Sequence, residues 1–565
     1  MQKSNLDNLT LVKLFETINK RYSDRIALQI KTKSGQLQKY SFKELGKRAV
    51  DVFSTLESLG IEKGDRVAIF SESRPEWAIA FFGILSCAAI VVPLDVKLSE
   101  KEVQFILNDS QAKCLFVSGN HLNKIEELRS VLPYLDKVIL LDDIKHHDEI
   151  LFKDLKKQKK EEKNRPIYPD DTVVLVYTSG TTGVAKGIEL TYKNIFYQVR
   201  VFSEIIHYND SDRLLSVLPL NHMLEITGGL IAPLYAGASV TYCNSYKPSN
   251  ILQLMKETRT TGMISVPLVL KVLHDGIMNK IRKIPIIGKM YFHSALRMSK
   301  KFPGLNTKLK RMLFRSVHQQ FGGCLRGFVC GGAPLDVEVE KNFVAMGFKI
   351  LQGYGLTETA PVISVNTFKQ HKFGSVGKPL PGAEVKIYKQ DNDMLSGEIL
   401  TRGPHVMKGY YRNPEATSEA IKEGWLYTGD LGYFDKDGFL YVSGRKKNMI
   451  VLGTGKKVFP EEVEQIVSKS DYIREMCVFG RIAEVGASKG CEEVQAVIVP
   501  NIDLLNSQNI NSEKEIKNKI SREVNRLEKD LALYKRIKHF FISKTELPKT
   551  VSRKIKRQEV IKLFD

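Results

Sequence analysis

Between residues 40 and 145 the chain alternates stretches of helical patterning with short apolar runs: VAIF from Val67, IVVPL from Ile90, KCLFV from Lys113 and KVILL from Lys137. Branched aliphatic runs of this length, set apart by helical segments, predict a layered α/β fold. The apolar stretch from Trp77 to Leu94 approaches the length of a membrane span, but Gly83, Ser86 and Pro93 interrupt it. WAIAFFGILSCAA followed by IVVPL therefore reads as a helix and then a buried strand. The charged stretch KDLKKQKKEEKNRP, residues 153–166, reads as a solvated loop at a subdomain joint. From residue 372 to 444 the pattern shortens to AEVKIYK, SGEILTRG and GFLYVSGR, whose turn residues predict a small β-barrel or twisted sheet. The remainder again mixes helix and strand, and no internal repeat is evident.

A length of 565 residues exceeds one ordinary core, so at least two domains are expected. With 85 Lys and Arg against 64 Asp and Glu, the net charge of +21 favours anionic partners: nucleotides, coenzymes, nucleic acid or acidic lipid. No nucleic-acid recognition motif accompanies the charge. The seven cysteines form no CxxC pair, which predicts reduced thiols in a cytoplasmic protein. The opening MQKSNLDNLTLVKLFETINKRYSD is polar where an export signal would be apolar.

The strongest local signal is VVLVYTSGTTGVAKGIELTYKN, residues 173–194, in which a buried strand delivers a loop of Gly, Ser and Thr followed by a lysine. Glycine-freed amides beside hydroxyls wrap phosphate oxygens well. Thr178, Ser179, Gly180, Thr181, Thr182, Gly183 and Lys186 are the resulting phosphate-binding candidates. Gly183 and Lys186 lack the Walker A spacing, and no GxGxxG is present.

The string YTSGTTGVAKG resembles the acyl-adenylate-forming enzymes, which include acyl-CoA synthetases, nonribosomal peptide adenylation domains and luciferases. Six further blocks follow in family order: LPLNHMLE, GGAPL, QGYGLTET, YTGDLG, GRKKNMIV and LPKTVSRKIKR. The resemblance implies that Tyr354 stacks on adenine, Thr357 meets the α-phosphate and Glu358 holds Mg²⁺, with Gly332, Ala333, Gln352 and Gly355 completing the ATP contacts of the larger domain. A magnesium site that shares phosphates needs few carboxylates. It further implies that Asp430 accepts the ribose hydroxyls, that Arg445 approaches ribose and phosphate, and that Lys554 bridges the substrate carboxylate and α-phosphate as charge develops. Arg553 stands where that last motif often has glycine.

Lys447 occupies the family's hinge position, and Gly453, Gly455 and Lys456 are candidates for the coenzyme A nucleotide. His222 and Glu225 match a block bordering the acyl site, and His222 is given no acid or base role. The stretch from Lys271 to Cys324 carries 12 Lys or Arg and one acid, Asp275. Basic residues interleaved with IPIIGKMYFHSALRM suit an interfacial helix on anionic lipid, and the segment is similar to the insertion of bacterial long-chain fatty acyl-CoA synthetases. An ordinary basic hairpin is the alternative.

Together these imply an α/β enzyme with a large multi-layer N-terminal domain, residues 1–445, of α/β subdomains plus a small β-barrel, and a small mobile α+β C-terminal domain, residues 446–565. The implied reaction is ATP-dependent activation of a long-chain fatty acid and transfer to coenzyme A, in the cytoplasm or at the inner membrane face. An acyl-acyl carrier protein synthetase shares the first step. A nucleotide-binding regulator without catalysis is a further alternative, against which Glu358 and Lys554 are both retained.

Overall fold

The computed structural model describes residues 11–143, 149–155, 165–179, 185–243, 245, 247–389, 396–454, 456–483, 490–549 and 555–564. The chain divides into two compact units, Met1–Val385 with Thr401–Leu426, and Lys386–Leu400 with Tyr427–Asp565. The fold is the expected mixture of α and β.

Among its described residues the larger unit holds a sheet of nine strands and one of eight. In the first, the strands Lys349–Tyr354, Gly327–Cys330, Gly262–Ser265, Arg213–Ser216, Ser239–Tyr242 and Ile26–Lys31 run parallel in that spatial order. Three of the sequence blocks leave the carboxyl ends of these strands: LPLNHMLE after Ser216, GGAPL after Cys330, and QGYGLTET across the end at Tyr354. Ligands of parallel α/β sheets gather at that edge.

The second sheet contains the four runs read as buried strands, Arg66–Phe70, Ile90–Leu94, Cys114–Val117 and Lys137–Leu140. Trp77 and the rest of the apolar stretch form the helix Pro75–Ser86, whose neighbour is the buried strand Ile90–Leu94, as the pattern predicts. Trp77 is fully buried and stacks on Phe81 at 5.6 Å, so this segment is core. No helix among the described residues is long and apolar enough to cross a membrane.

The β-rich stretch forms a five-stranded sheet in which Trp425–Phe434 pairs antiparallel with both Ile421–Lys422 and Leu440–Arg445. The smaller unit contains a three-stranded sheet, Ile473–Ile482, Glu492–Pro500 and His539–Ile542. The helices Pro460–Val467 and Glu513–Leu527 share its apolar core through Val463, Val467, Ile520 and Val524.

The basic segment folds as helices Pro267–Lys283, Ile286–Lys301, Thr307–Leu313 and Arg315–Gln320. Phe292 meets Phe314 edge-on at 5.5 Å, and buried His318 reaches the Met346 carbonyl at 2.8 Å, anchoring the segment. Its cations are not equivalent. Lys310 is buried and donates to the Pro303 carbonyl, Arg311 donates to Gly323 and Leu325, and Lys300 pairs with Glu338 at 2.8 Å. The apolar residues at the start of the second helix face outward, with Ile286, Ile287, Met290 and Tyr291 all more than half exposed.

Candidate functional site

The strand Thr172–Ser179 returns antiparallel as Ala185–Thr191, with Thr178 opposite Lys186 and Tyr177 opposite Gly187. This hairpin brings both ends of the Gly/Ser/Thr loop to one place. Gly180, Thr181, Thr182 and Gly183 lie outside the described residues, as does the side chain of Ser179. Thr191 then caps the next helix: its hydroxyl accepts from the Asn194 amide, and Asn194 accepts from the Thr191 amide. The LTYKN block is thus a capping box, a device that satisfies two otherwise orphaned donors.

That helix carries Gln198, fully buried, whose amide donates to the carbonyls of Thr359 at 2.9 Å and Val362 at 2.7 Å. Gln198 therefore clamps the loop that follows Tyr354. Within the loop Thr357, Glu358 and Thr359 form one 3₁₀ turn, closed by a hydrogen bond from the Leu356 amide to the Thr359 hydroxyl. Gly355 is required by packing, because a Cβ there would collide with the Pro361 carbonyl. Tyr354 and Gln352 are buried on the preceding strand, whereas Gly332, in the left-handed region at φ +84°, and Ala333 are exposed on the neighbouring block.

A side chain that the sequence pattern did not single out joins these blocks. The short strand Gly409–Tyr410 pairs antiparallel with Ala185–Thr191, and the Tyr410 hydroxyl donates to Glu358 Oε1 at 3.1 Å. Lys186 Nζ lies 5.1 Å from the centre of the same ring, within cation–π range. Burial, and then the Glu358 charge, push the Tyr410 phenol well above its ordinary range, so it stays a donor. No local motif marks Tyr410, or Gln198, because both act through partners distant in sequence. Among the described residues no cluster of three or more His, Cys, Asp or Glu side chains forms a metal cage. A single carboxylate such as Glu358 suits a hard cation that completes its shell with phosphate oxygens and water, as Mg²⁺ does.

His222 and Glu225 follow the strand Arg213–Ser216. Glu225 begins a π-helical turn, Glu225–Ile231, and is fully buried. Among the described residues neither carboxyl oxygen makes a hydrogen bond of good geometry; the Ser216 hydroxyl lies close enough to act on the carboxyl, and the nearby Tyr242 hydroxyl has no partner. Burial raises the Glu225 pKa to about 8, with Ser216 opposing it, so the carboxyl is mostly neutral at pH 7. Gly229 makes room for it, since a Cβ there would overlap Glu225 Oε1. The turn touches the Thr-Glu loop through Thr227, whose hydroxyl donates to the Ala360 carbonyl at 3.4 Å.

In the smaller unit, Asp430 and Arg445 face each other across paired strands, with Arg445 Nε 2.8 Å from Asp430 Oδ1. Asp430 is buried and Arg445 about half exposed. Beside them Glu398 accepts from the Gly429 amide at 3.2 Å and from Lys446 at 2.8 Å, fixing the turn before Asp430. Lys447 is exposed in the 3₁₀ turn Lys446–Asn448. Gly453 packs so tightly on Cys491 that a Cβ would overlap its sulfur. Lys456 lies 4.5 Å from the Tyr534 ring centre, and Gly455 is outside the described residues.

Lys554 also lies outside the described residues. On either side of it the basic tail is fixed rather than merely solvated: Lys549 pairs with Glu475 at 2.5 Å, and Arg557 with Glu461 at 3.1 Å and Glu464 at 2.5 Å.

Residues 15–411 match the family model described as AMP-binding enzyme, and residues 447–565 match that of the AMP-binding enzyme C-terminal domain. The long-chain-fatty-acid–CoA ligase FadD15 of Mycobacterium bovis is 34% identical over 444 residues, covering 75% of this chain and 72% of the relative. A long-chain-fatty-acid–CoA ligase of Escherichia coli O157:H7 is 30% identical over 515 residues, 83% of each chain. In fold, the chain is similar to the solved structure of the anthranilate CoA ligase AuaEII in complex with anthranoyl-AMP, with a TM-score of 0.81 at 24% identity, covering 98% of this chain and 97% of that one. With its Gly/Ser/Thr hairpin, its Thr-Glu loop and a family match over most of its length, the chain belongs to the AMP-binding enzyme family.

Proposed function

We propose that this protein activates a long-chain fatty acid with ATP and transfers the acyl group to coenzyme A. In the first half-reaction a carboxylate oxygen bonds to the α-phosphorus and pyrophosphate leaves, giving an acyl adenylate. In the second, the coenzyme thiol loses its proton and attacks the acyl carbon, and AMP departs. Tyr354 holds adenine, Asp430 and Arg445 the ribose, and Thr178, Lys186 and Thr357 the phosphate oxygens. Glu358 would hold Mg²⁺, which would supply positive charge to the polyphosphate. Lys554 offsets charge between the carboxylate and the α-phosphate. The smaller unit reorients about Lys447 between the half-reactions, and Gly453, Gly455 and Lys456 border the coenzyme. His222 and Glu225 border the acyl chain, where a carboxyl that is mostly neutral at pH 7 suits an apolar ligand.

The observation that supports this reading is the convergence of Lys186, Tyr410 and Glu358, which brings the cation proposed for phosphate and the carboxylate proposed for the metal to one tyrosine. Purified enzyme supplied with ATP, Mg²⁺ and palmitate should exchange labelled pyrophosphate, and adding coenzyme A should yield palmitoyl-CoA and AMP. Transfer to holo-acyl carrier protein but not to coenzyme A would replace the acceptor. Absence of exchange with fatty acids of any length would overturn the reading.

The basic segment is proposed to dock on anionic lipid and so reach its substrate. The face involved is the exposed start of the helix Ile286–Lys301, with Ile286, Ile287, Met290 and Tyr291 beside Lys283 and Lys289. Apolar residues ringed by cations partition into charged interfaces.

A further inference from the structure

We infer that Tyr410 is a positioning residue for the adenylation half-reaction, orienting the Glu358 carboxylate toward the metal while its ring seats Lys186. This inference rests on the reading of Glu358 as the metal-binding carboxylate. Glu358 sits on a single 3₁₀ turn, and a side chain on so short an element has several rotamers open to it. The Tyr410 hydroxyl takes one carboxylate oxygen, Oε1, at 3.1 Å, and among the described residues Oε2 has no hydrogen-bond partner. A carboxylate whose one oxygen is held in place is preorganised to take a cation.

Tyr410 is itself held firmly. Its amide donates to the Thr417 hydroxyl at 2.9 Å, and its strand pairs with Ala185–Thr191 at Tyr410 opposite Ile188. The adjoining backbone is bonded on both sides: the Met407 amide to the Glu358 carbonyl at 2.8 Å and the Tyr411 amide to the Gly187 carbonyl at 2.8 Å. The ring is therefore located by the same strand that carries Lys186. It transmits that position to Glu358 through one oxygen atom. A structural role alone would need only the ring, whereas the hydroxyl serves the carboxylate.

Tyr410→Phe keeps the ring and removes the donor. Calorimetric titration of a non-hydrolysable ATP analogue at a series of Mg²⁺ concentrations should show the variant needing roughly tenfold more Mg²⁺ for half-maximal binding, the scale of one hydrogen bond to a charged group. The variant should remain folded by circular dichroism, and its transfer of acyl from a supplied fatty acyl adenylate should fall far less than its ATP-analogue binding at low Mg²⁺. In a Glu358→Gln background, adding Tyr410→Phe should cause no further loss. A Mg²⁺ midpoint within about twofold of wild type, or a further loss in the double variant, would overturn the positioning role. If Glu358→Gln alone leaves the Mg²⁺ dependence intact, the metal reading of Glu358 fails, and the inference about Tyr410 fails with it.

Discussion

Glu225 offers a measurement in which the fold's own electrostatics set the size of the effect. Its carboxyl is fully buried and titrates at about 8, against an ordinary 4.5 in the unfolded chain. Between those values the folded protein holds a proton that the unfolded chain has released, so folding takes up a proton and stability falls as pH rises. One pH unit is worth about 1.4 kcal/mol, which makes the term about 3 kcal/mol at pH 7 and close to 5 above pH 8. Glu225→Gln keeps the shape and cannot ionise. Its amide carries a constant burial cost, so the informative quantity is how the difference from wild type changes with pH. That difference should move in favour of the glutamine by about 3 kcal/mol between pH 4.5 and 7. The chain has two tryptophans. In a Trp425→Phe background the buried Trp77 reports the larger unit, and urea unfolding at pH 5, 6, 7 and 8 gives the required series. A gap that stays constant with pH, or moves the other way, would refute the neutral carboxyl and with it the uncharged lining assigned to the acyl site.

Lys554→Ala should abolish pyrophosphate exchange while sparing thioester formation from a supplied acyl adenylate; equal loss of both half-reactions would remove Lys554 from its assigned role. At the basic segment, Lys283→Gln and Lys289→Gln should each weaken binding to anionic vesicles by about 1 kcal/mol, with more lost on Ile287→Ser. Lys310→Gln should leave vesicle binding unchanged, because that amine is buried against Pro303. The reverse order in a sedimentation assay would show that the exposed helix start is not the docking face.

Much of this was legible in the sequence where neighbours in the chain are neighbours in space. The buried runs from Val67, Ile90, Lys113 and Lys137 became strands, and the helix from Pro75 is core, because apolar periodicity reports burial directly. The strand that delivers the Gly/Ser/Thr loop was legible because both strands of its hairpin flank that one loop. Tyr410 and Gln198 were not, since their partners are Glu358 and the Thr359 and Val362 carbonyls, reached only after sheets assemble. Composition also overcounted the cations available to lipid: twelve in the basic segment include Lys310, Arg311 and Lys300, which are tied into the protein. Burial of Glu225 gave no sequence signal either, as a glutamate after an apolar block more often faces water.

The capping box at Thr191 and the Gln198 clamp bear on how such enzymes can be recombined. The hairpin from Thr172, the helix it runs into, the loop from Gln352 to Val362 and the edge strand at Tyr410 hold one another by backbone pairing and by buried side chains bonded to backbone, not by adjustable surface side chains. A crossover that imports the hairpin from a relative without the other three segments would join mismatched registers within a single rigid piece. Chimeras meant to alter acyl preference should therefore move these segments as one cassette, with their junctions placed outside it.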